Sequence, residues 1–286
     1  MRPDPVSTVL LIPAAGSGTR LAAGVPKAFV PLAGRSLLAH AVEGAVRSGV
    51  IDAIVIAAPS SLVEDARRIA ETAAEAPAGS ADDADDPDGS GAHSVPVSGS
   101  APVSGSASVP ISVVVGGADR VVSVAAALAV VPEADLVLVH DAARCLTPAS
   151  VYHRVVAALA EGAAAVVPVL PMTDTVKTAT DAGTVVGDLD RTALRRVQTP
   201  QGFVRDVLVA AHDLQRTDPD ASATDDAGLV ERLDIAVVGV PGDEAALKIT
   251  HPIDLRIAEL YVTGDLDATP DTAAARTPDH ARRRIE

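Results

Sequence analysis

The sequence predicts an α/β fold with three layers, a mainly parallel twisted sheet between two sets of helices, and three observations predict it. Apolar runs of strand length alternate with amphipathic stretches of helix length from Thr8 to Val169. Hydrophobic residues form 48% of the 286-residue chain but aromatics only 1%, so Val, Ala, Leu and Ile must build the core, as suits strands buried on both faces. Glycine-bearing or charged turns, AAGSGTR, GGADR and HDAAR, each follow a strand. Parallel strands place such turns on one edge, where ligands of open α/β sheets bind.

The elements follow in order. Thr8 to Pro13 is a short apolar strand ending at the glycine turn. In RSLLAHAVEGAVRSG, Leu38, Ala41, Val42, Ala45 and Val46 share one helical face, and Gly49 stops the helix. A strand is expected at Ile51 to Ala58, then a helix opened by Ser60 or Ser61. Farther on come a strand at Ile111 to Val115, a helix at Asp119 to Val130 and a strand at Leu136 to His140. A helix at Pro148 to Gly162 and a strand at Ala164 to Val169 complete the regular part.

Two segments depart from this pattern. Within 76–110, the residues from Pro77 to Pro110 hold 8 Ser, 5 Asp, 5 Gly and 5 Pro, no Lys or Arg, and PVSGSA twice. Such a composition buries too little apolar surface to offset its ordering entropy, so it reads as a disordered low-complexity insert within one domain. The end, 264–286, reads as a solvated tail. One domain is therefore expected over 1–263.

The net charge of −15, with no Lys/Arg-rich run, argues against a nucleic-acid partner. No stretch approaches the ~20 apolar residues of a membrane span. The amino terminus does not read as a secretory signal, and the lone Cys145 can form neither an intrachain disulfide nor a Cys-based metal cluster, so a cytoplasmic location is expected. With so few aromatics, a nucleobase must be read by backbone groups or small polar side chains.

Gly16, Ser17 and Gly18 in the first turn let successive N–H groups converge on a phosphate. Alone, the pair of glycines is equally a tight turn: Leu21 stands where the third glycine of a dinucleotide fingerprint belongs, and the Gly-Lys-Ser/Thr of a P-loop is absent. Arg20 and Lys27 add two cations to an otherwise acidic chain. Asp141 ends a buried strand, a costly place for a carboxylate unless a cation or hydrogen bonds compensate it. His140 beside it fits a hydrogen-bonded structural residue better than a general base, and Cys145 reads as packing.

GSGTR followed by PKAFVPLAGRSLLAHAV is similar to the nucleotidyltransferases of the glycosyltransferase-like fold. Together with HDAAR, DTVK, TPQGF, TDDAGLVE and LKIT in this order, it resembles the 2-C-methyl-D-erythritol 4-phosphate cytidylyltransferase family from about Val9 to Val262. The resemblance implies a Rossmann-like α/β/α domain with a protruding dimerisation arm at 173–192, a homodimer, and the substrates CTP and a polyol phosphate. It implies Mg²⁺, or another divalent cation, facing Asp141 directly or through water.

The resemblance also implies residue roles. Arg20 and Lys27 grip the triphosphate and stabilise the transition state. Ala14, Ala15, Gly117, Ala118 and Ser123 read cytosine, with Ala118, where the family often has an acidic residue, contributing main-chain groups alone. Asp141 and Arg144 lie at the ribose, the metal and the substrate phosphate, and Ala142 belongs to the nucleotide-binding set. Thr199, Thr224 and Lys248 hold the sugar phosphate, Lys248 with a catalytic role, and Thr175 and Arg191 on the arm complete the partner's site. Transfer to another polyol phosphate, such as ribitol 5-phosphate, and a non-catalytic nucleotide-sensing domain stay open at this stage.

Overall fold

A computed structural model describes residues 6–16, 18, 21, 24–75, 108–187, 189–218 and 223–264. Residues 76–107 and 265–286, which carry most of the expected insert and tail, lie outside the described residues, as do Ser17 and Arg20.

The chain opens with β1 (Thr8–Pro13), a two-residue pair β2 (Pro31–Leu32) and β3 (Arg35–Ser36), then α1 (Leu37–Arg47), β4 (Ala53–Ala58) and α2 (Val63–Ala74). It continues with β5 (Ile111–Val115), α3 (Arg120–Leu128), β6 (Leu136–Val139), α4 (Ala149–Ala160) and β7 (Ala165–Pro171). A small exposed hairpin of β8 (Thr178–Ala179) and β9 (Val185–Val186) follows. The rest is β10 (Arg195–Val197), β11 (Gln201–Val204), α5 (Arg205–Thr217), α6 (Asp226–Glu231), β12 (Val238–Pro241) and α7 (Pro252–Thr263).

The main sheet has eight strands in the order β10-β7-β11-β6-β1-β4-β5, with β12 also paired to β7. Parallel pairing joins β6, β1, β4 and β5, and joins β12 to β7. β11 runs antiparallel between β6 and β7, and β10 antiparallel to β7, so the sheet is mixed around a parallel half.

Alternation along the strands builds two cores. Leu10 and Ile12 of β1, with Ile54, Ile56 and Leu138, pack against α1, α2 and α4. Val9 and Leu11, with Val55, Val137 and Val139, pack against α3, α5 and α6 on the other face. The expected three layers are thus present.

Local boundaries differ where side chains intervene. The strand expected from Ile51 begins at Ala53, because the Asp52 carboxylate accepts the Thr8 N–H at 2.7 Å and turns the chain. Neither Ser60 nor Ser61 caps α2: both lie in a 3-10 turn, Ser60–Leu62, and α2 starts without a side-chain cap. Asp119 is the cap of α3, its carboxylate accepting the Val122 N–H at 2.8 Å. Gly49, at φ +68°, ends α1 as expected.

Candidate active site

The carboxyl ends of β1, β5 and β6 open into one cavity of about 410 Å³. Its walls include Ala14, Ala15, Gly16, Gly18, Lys27, Gly117, Ala118, Ser123, Asp141, Ala142 and Lys248, so all three turns and LKIT meet there.

Gly18 sits at φ +65°, and a Cβ there would lie 2.6 Å from the Lys27 Cβ. Glycine therefore serves both the left-handed backbone and the close approach. The Lys27 N–H donates to the Gly16 carbonyl at 3.3 Å, so loop and lysine are tied through main chain. Across the cavity, a Cβ on Gly116 would meet the Ala15 Cβ at 2.6 Å, and one on Gly117 would overlap the Val122 side chain. The Ser123 hydroxyl accepts the Gly117 N–H at 3.1 Å and donates to the Asp119 carbonyl at 2.7 Å. This serine shapes the recess that Ala14, Ala15, Gly117 and Ala118 line without aromatic help.

Asp141 is the electrostatic centre. Lys248 Nζ lies 2.7 Å from Oδ2 and Arg120 Nε 3.3 Å from Oδ1. Burial alone would raise the Asp141 pKa, but Arg120 and Lys248 hold it below the ordinary carboxylate value. The Asp141 N–H donates to Thr199 Oγ1 at 3.0 Å, which leaves the Thr199 proton for His140 Nδ1 at 3.0 Å. His140 is fully buried, lies 5.5 Å from the Tyr152 ring, and burial pushes its pKa down to about 4. It is therefore a neutral structural residue walled off from the cavity. Thr199, also buried, braces the strand end from behind.

Arg144 donates to the Ala246 carbonyl at 2.8 Å and the Val197 carbonyl at 3.1 Å, clamping HDAAR to the segment before Lys248 and to β10. Thr175, Arg191 and Thr224 are exposed and outside the cavity wall, and Arg191 donates to the Thr173 carbonyl at 3.0 Å. Among the described residues, no group of three or more His, Cys, Asp or Glu side chains is gathered as a metal site. A magnesium ion needs only one or two carboxylates beside substrate phosphates, and the Asp141 oxygens retain lone pairs, so this donor set fits such an ion.

Arg120 lies within GGADR, yet its place in the site is not legible from the sequence. Its signal, a cation following the glycine pair, has no meaning until α6 is placed beside it.

A third apolar cluster gathers Leu21 and Val30 from the first loop, Leu32 of β2, Leu37 and Ala41 of α1, Cys145, Ile249 and Ala258. Cys145 is packing, as expected, and burial pushes its thiol up to about 12.

The model of the family described as 2-C-methyl-D-erythritol 4-phosphate cytidylyltransferase, IspD, matches residues 8–82 and 98–264. The chain belongs to the IspD family. A relative of that description from Saccharopolyspora erythraea is 48% identical over 262 residues, covering 89% of this chain and 98% of the relative. Another, from Nocardia farcinica, is 45% identical over 253 residues, covering 88% of this chain and 93% of the relative. The crystal structure of the 2-C-methyl-D-erythritol 4-phosphate cytidylyltransferase from Thermus thermophilus superposes with a TM-score of 0.63 at 33% identity, covering 90% of this chain and all of that one. The IspD match skips 83–97, inside the segment set apart by composition.

Proposed function

We propose that the chain transfers CMP from CTP to 2-C-methyl-D-erythritol 4-phosphate, giving 4-diphosphocytidyl-2-C-methyl-D-erythritol and pyrophosphate for non-mevalonate isoprenoid precursor synthesis. The observation that carries this reading is the convergence of the glycine loop, Lys27, Asp141 and Lys248 on one cavity, in a chain of the IspD family.

The acceptor phosphate has a second pKa of about 6 and is largely dianionic at neutral pH, so the reaction needs no general base. That agrees with a neutral, buried His140. Catalysis then consists of positioning and charge stabilisation. The recess of Ala14, Ala15, Gly117 and Ala118 holds cytosine by main-chain groups, and the loop of Gly16, Ser17 and Gly18 with Arg20 and Lys27 holds the triphosphate. Asp141 and Ala142 take the ribose. Lys248 orients the acceptor phosphate for in-line attack on the α-phosphorus, with Arg144, Thr199 and Thr224 framing that side. A divalent cation bound to Asp141 and the phosphates would neutralise charge on the triphosphate.

The hairpin of β8 and β9, with Thr175 and Arg191 at its base, is read as the arm of a homodimer that completes the partner's site. Among the described residues no helix is long and apolar enough to cross a membrane, and a cytoplasmic location is part of this proposal. The test is pyrophosphate release from CTP and Mg²⁺ with each candidate acceptor. Turnover with 2-C-methyl-D-erythritol 4-phosphate far above that with ribitol 5-phosphate supports the reading, and the reverse order overturns it.

A further inference from the structure

Asp141 is met by a second cation, and that cation has a buried support of its own. Arg120 is the first residue of α3, lines the cavity and has a largely buried side chain. While its Nε faces Asp141, its Nη1 donates to Oδ2 of Asp226, whose side chain is fully buried. The other Asp226 oxygen, Oδ1, lies 2.9 Å from Nε2 of His212, which is buried on α5. Behind this pair, Asp225 caps α6 by accepting the Gly228 N–H at 2.9 Å and also accepts from Gln201 Nε2 at 2.6 Å.

A carboxylate without exposure is costly, and leaving it unpaired costs more. Asp226 does not line the cavity, so direct contact with substrate does not account for it. What it does is fix a guanidinium. An arginine fork held at Nη1 by a buried acceptor has little freedom at Nε, and that Nε points at Asp141. Asp141 thus has one movable cation, Lys248 on a half-exposed side chain, and one anchored cation, Arg120.

We infer that Arg120, aimed by the buried Asp226 and His212, is a positioning residue that fixes the Asp141 carboxylate and keeps it compensated when Lys248 turns to a phosphate. This rests on the proposed cytidylyl transfer. It also gives TDDAGLVE a purpose beyond Thr224: Asp225 sets the helix and Asp226 aims the arginine.

The experiment is a double-mutant cycle on the full chain, with kcat, KM, melting temperature, and CTP affinity measured by calorimetry with Mg²⁺. The wild type must first release pyrophosphate from CTP and the acceptor; if it does not, the functional reading fails, independently of Arg120. Arg120→Gln and the near-isosteric Asp226→Asn should each lower kcat/KM by about tenfold or more, with Arg120→Lys recovering part of the loss. In an Asp141→Asn background, either substitution should change kcat/KM and CTP affinity by less than about twofold, because the group acted upon is gone. Losses that multiply across the two backgrounds overturn the inference. So do wild-type kcat/KM and CTP affinity in a variant that only melts earlier. If Arg120→Gln does not fold, Asp226→Asn decides by the same criteria, and failure of both to fold assigns the network to folding alone and overturns the positioning role.

Discussion

Lys248 and Asp141, which both line the cavity, form an ion pair of 2.7 Å, each carried on a different turn and neither fully buried. The lysine therefore keeps a reachable ammonium while Asp141 keeps its charge. Lys248→Ala should lower kcat/KM for the polyol phosphate by about a hundredfold while CTP affinity changes by less than about threefold, since Arg120 still compensates Asp141. Steady-state kinetics with calorimetry on CTP checks this. A large loss of CTP affinity with unchanged acceptor KM would place Lys248 on the nucleotide.

How much of this arrangement the sequence discloses depends on how local its causes are. β1 reads directly from TVLLIP because a strand covered on both faces is a near-continuous apolar run, here Val9 to Pro13 after a buried Thr8. The Asp119 cap and the Gly49 stop are equally local. The RRVQTPQGFV stretch shows no usable periodicity, since β10 is exposed while β11 is buried, and it breaks into two strands that are each antiparallel to β7. The tie between Arg120 and Asp226 spans 106 residues and exists only because α3 and α6 share one face of the sheet. Family resemblance, not periodicity, pointed to Lys248.

Gly18 and Lys27 should behave as one unit. Lys27→Ala is expected to reduce kcat by about 10²- to 10³-fold with a smaller effect on CTP binding, because the cation matters most as charge builds at the α-phosphorus. Gly18→Ala, which keeps every functional side chain, should lose about a hundredfold through displacement of Lys27, as its Cβ would lie 2.6 Å from the Lys27 Cβ and 3.0 Å from the Lys27 backbone. Comparison of kcat with the melting temperature of each variant is the check. Unchanged turnover in Gly18→Ala would show that the close contact does not set the lysine.

Lys27→Ala and Arg191→Ala homodimers should each be nearly inactive, the first lacking the triphosphate cation and the second the partner's grip on the acceptor. Random pairing after exchange makes half of the dimers mixed, and one site in each mixed dimer is intact, so roughly a quarter of wild-type activity should return. Native mass spectrometry of differently tagged chains establishes the exchange. Mixed dimers without recovered activity would confine Arg191 to its own chain or to no role.

Cys145 gives a pH dependence whose sign follows from its burial. Its thiol is pushed from 9.0 up to about 12, so the folded chain keeps the proton across a range in which the unfolded chain releases it. Fewer protons bound in the unfolded state mean that stability falls as pH rises from about 9 to 12, with no contribution below that window. The urea midpoint should drop more between pH 8 and 10.5 for the wild type than for Cys145→Ala. At pH 8 a maleimide should label the native thiol only at the rate of unfolding.

The link between α2 and β5 enters the sheet at the amino end of β5, whereas Gly116 follows its carboxyl end and leads to Gly117 in the cavity wall. The attachment of that link to β5 is thus one strand length away from Gly117, and the IspD match skips 83–97 within the link. For protein engineering this is a port: a reporter or capture domain spliced into the link would be tethered through Glu75 after α2 and through Val109 before β5, and the second of these tethers joins the sheet at the strand end opposite Gly117.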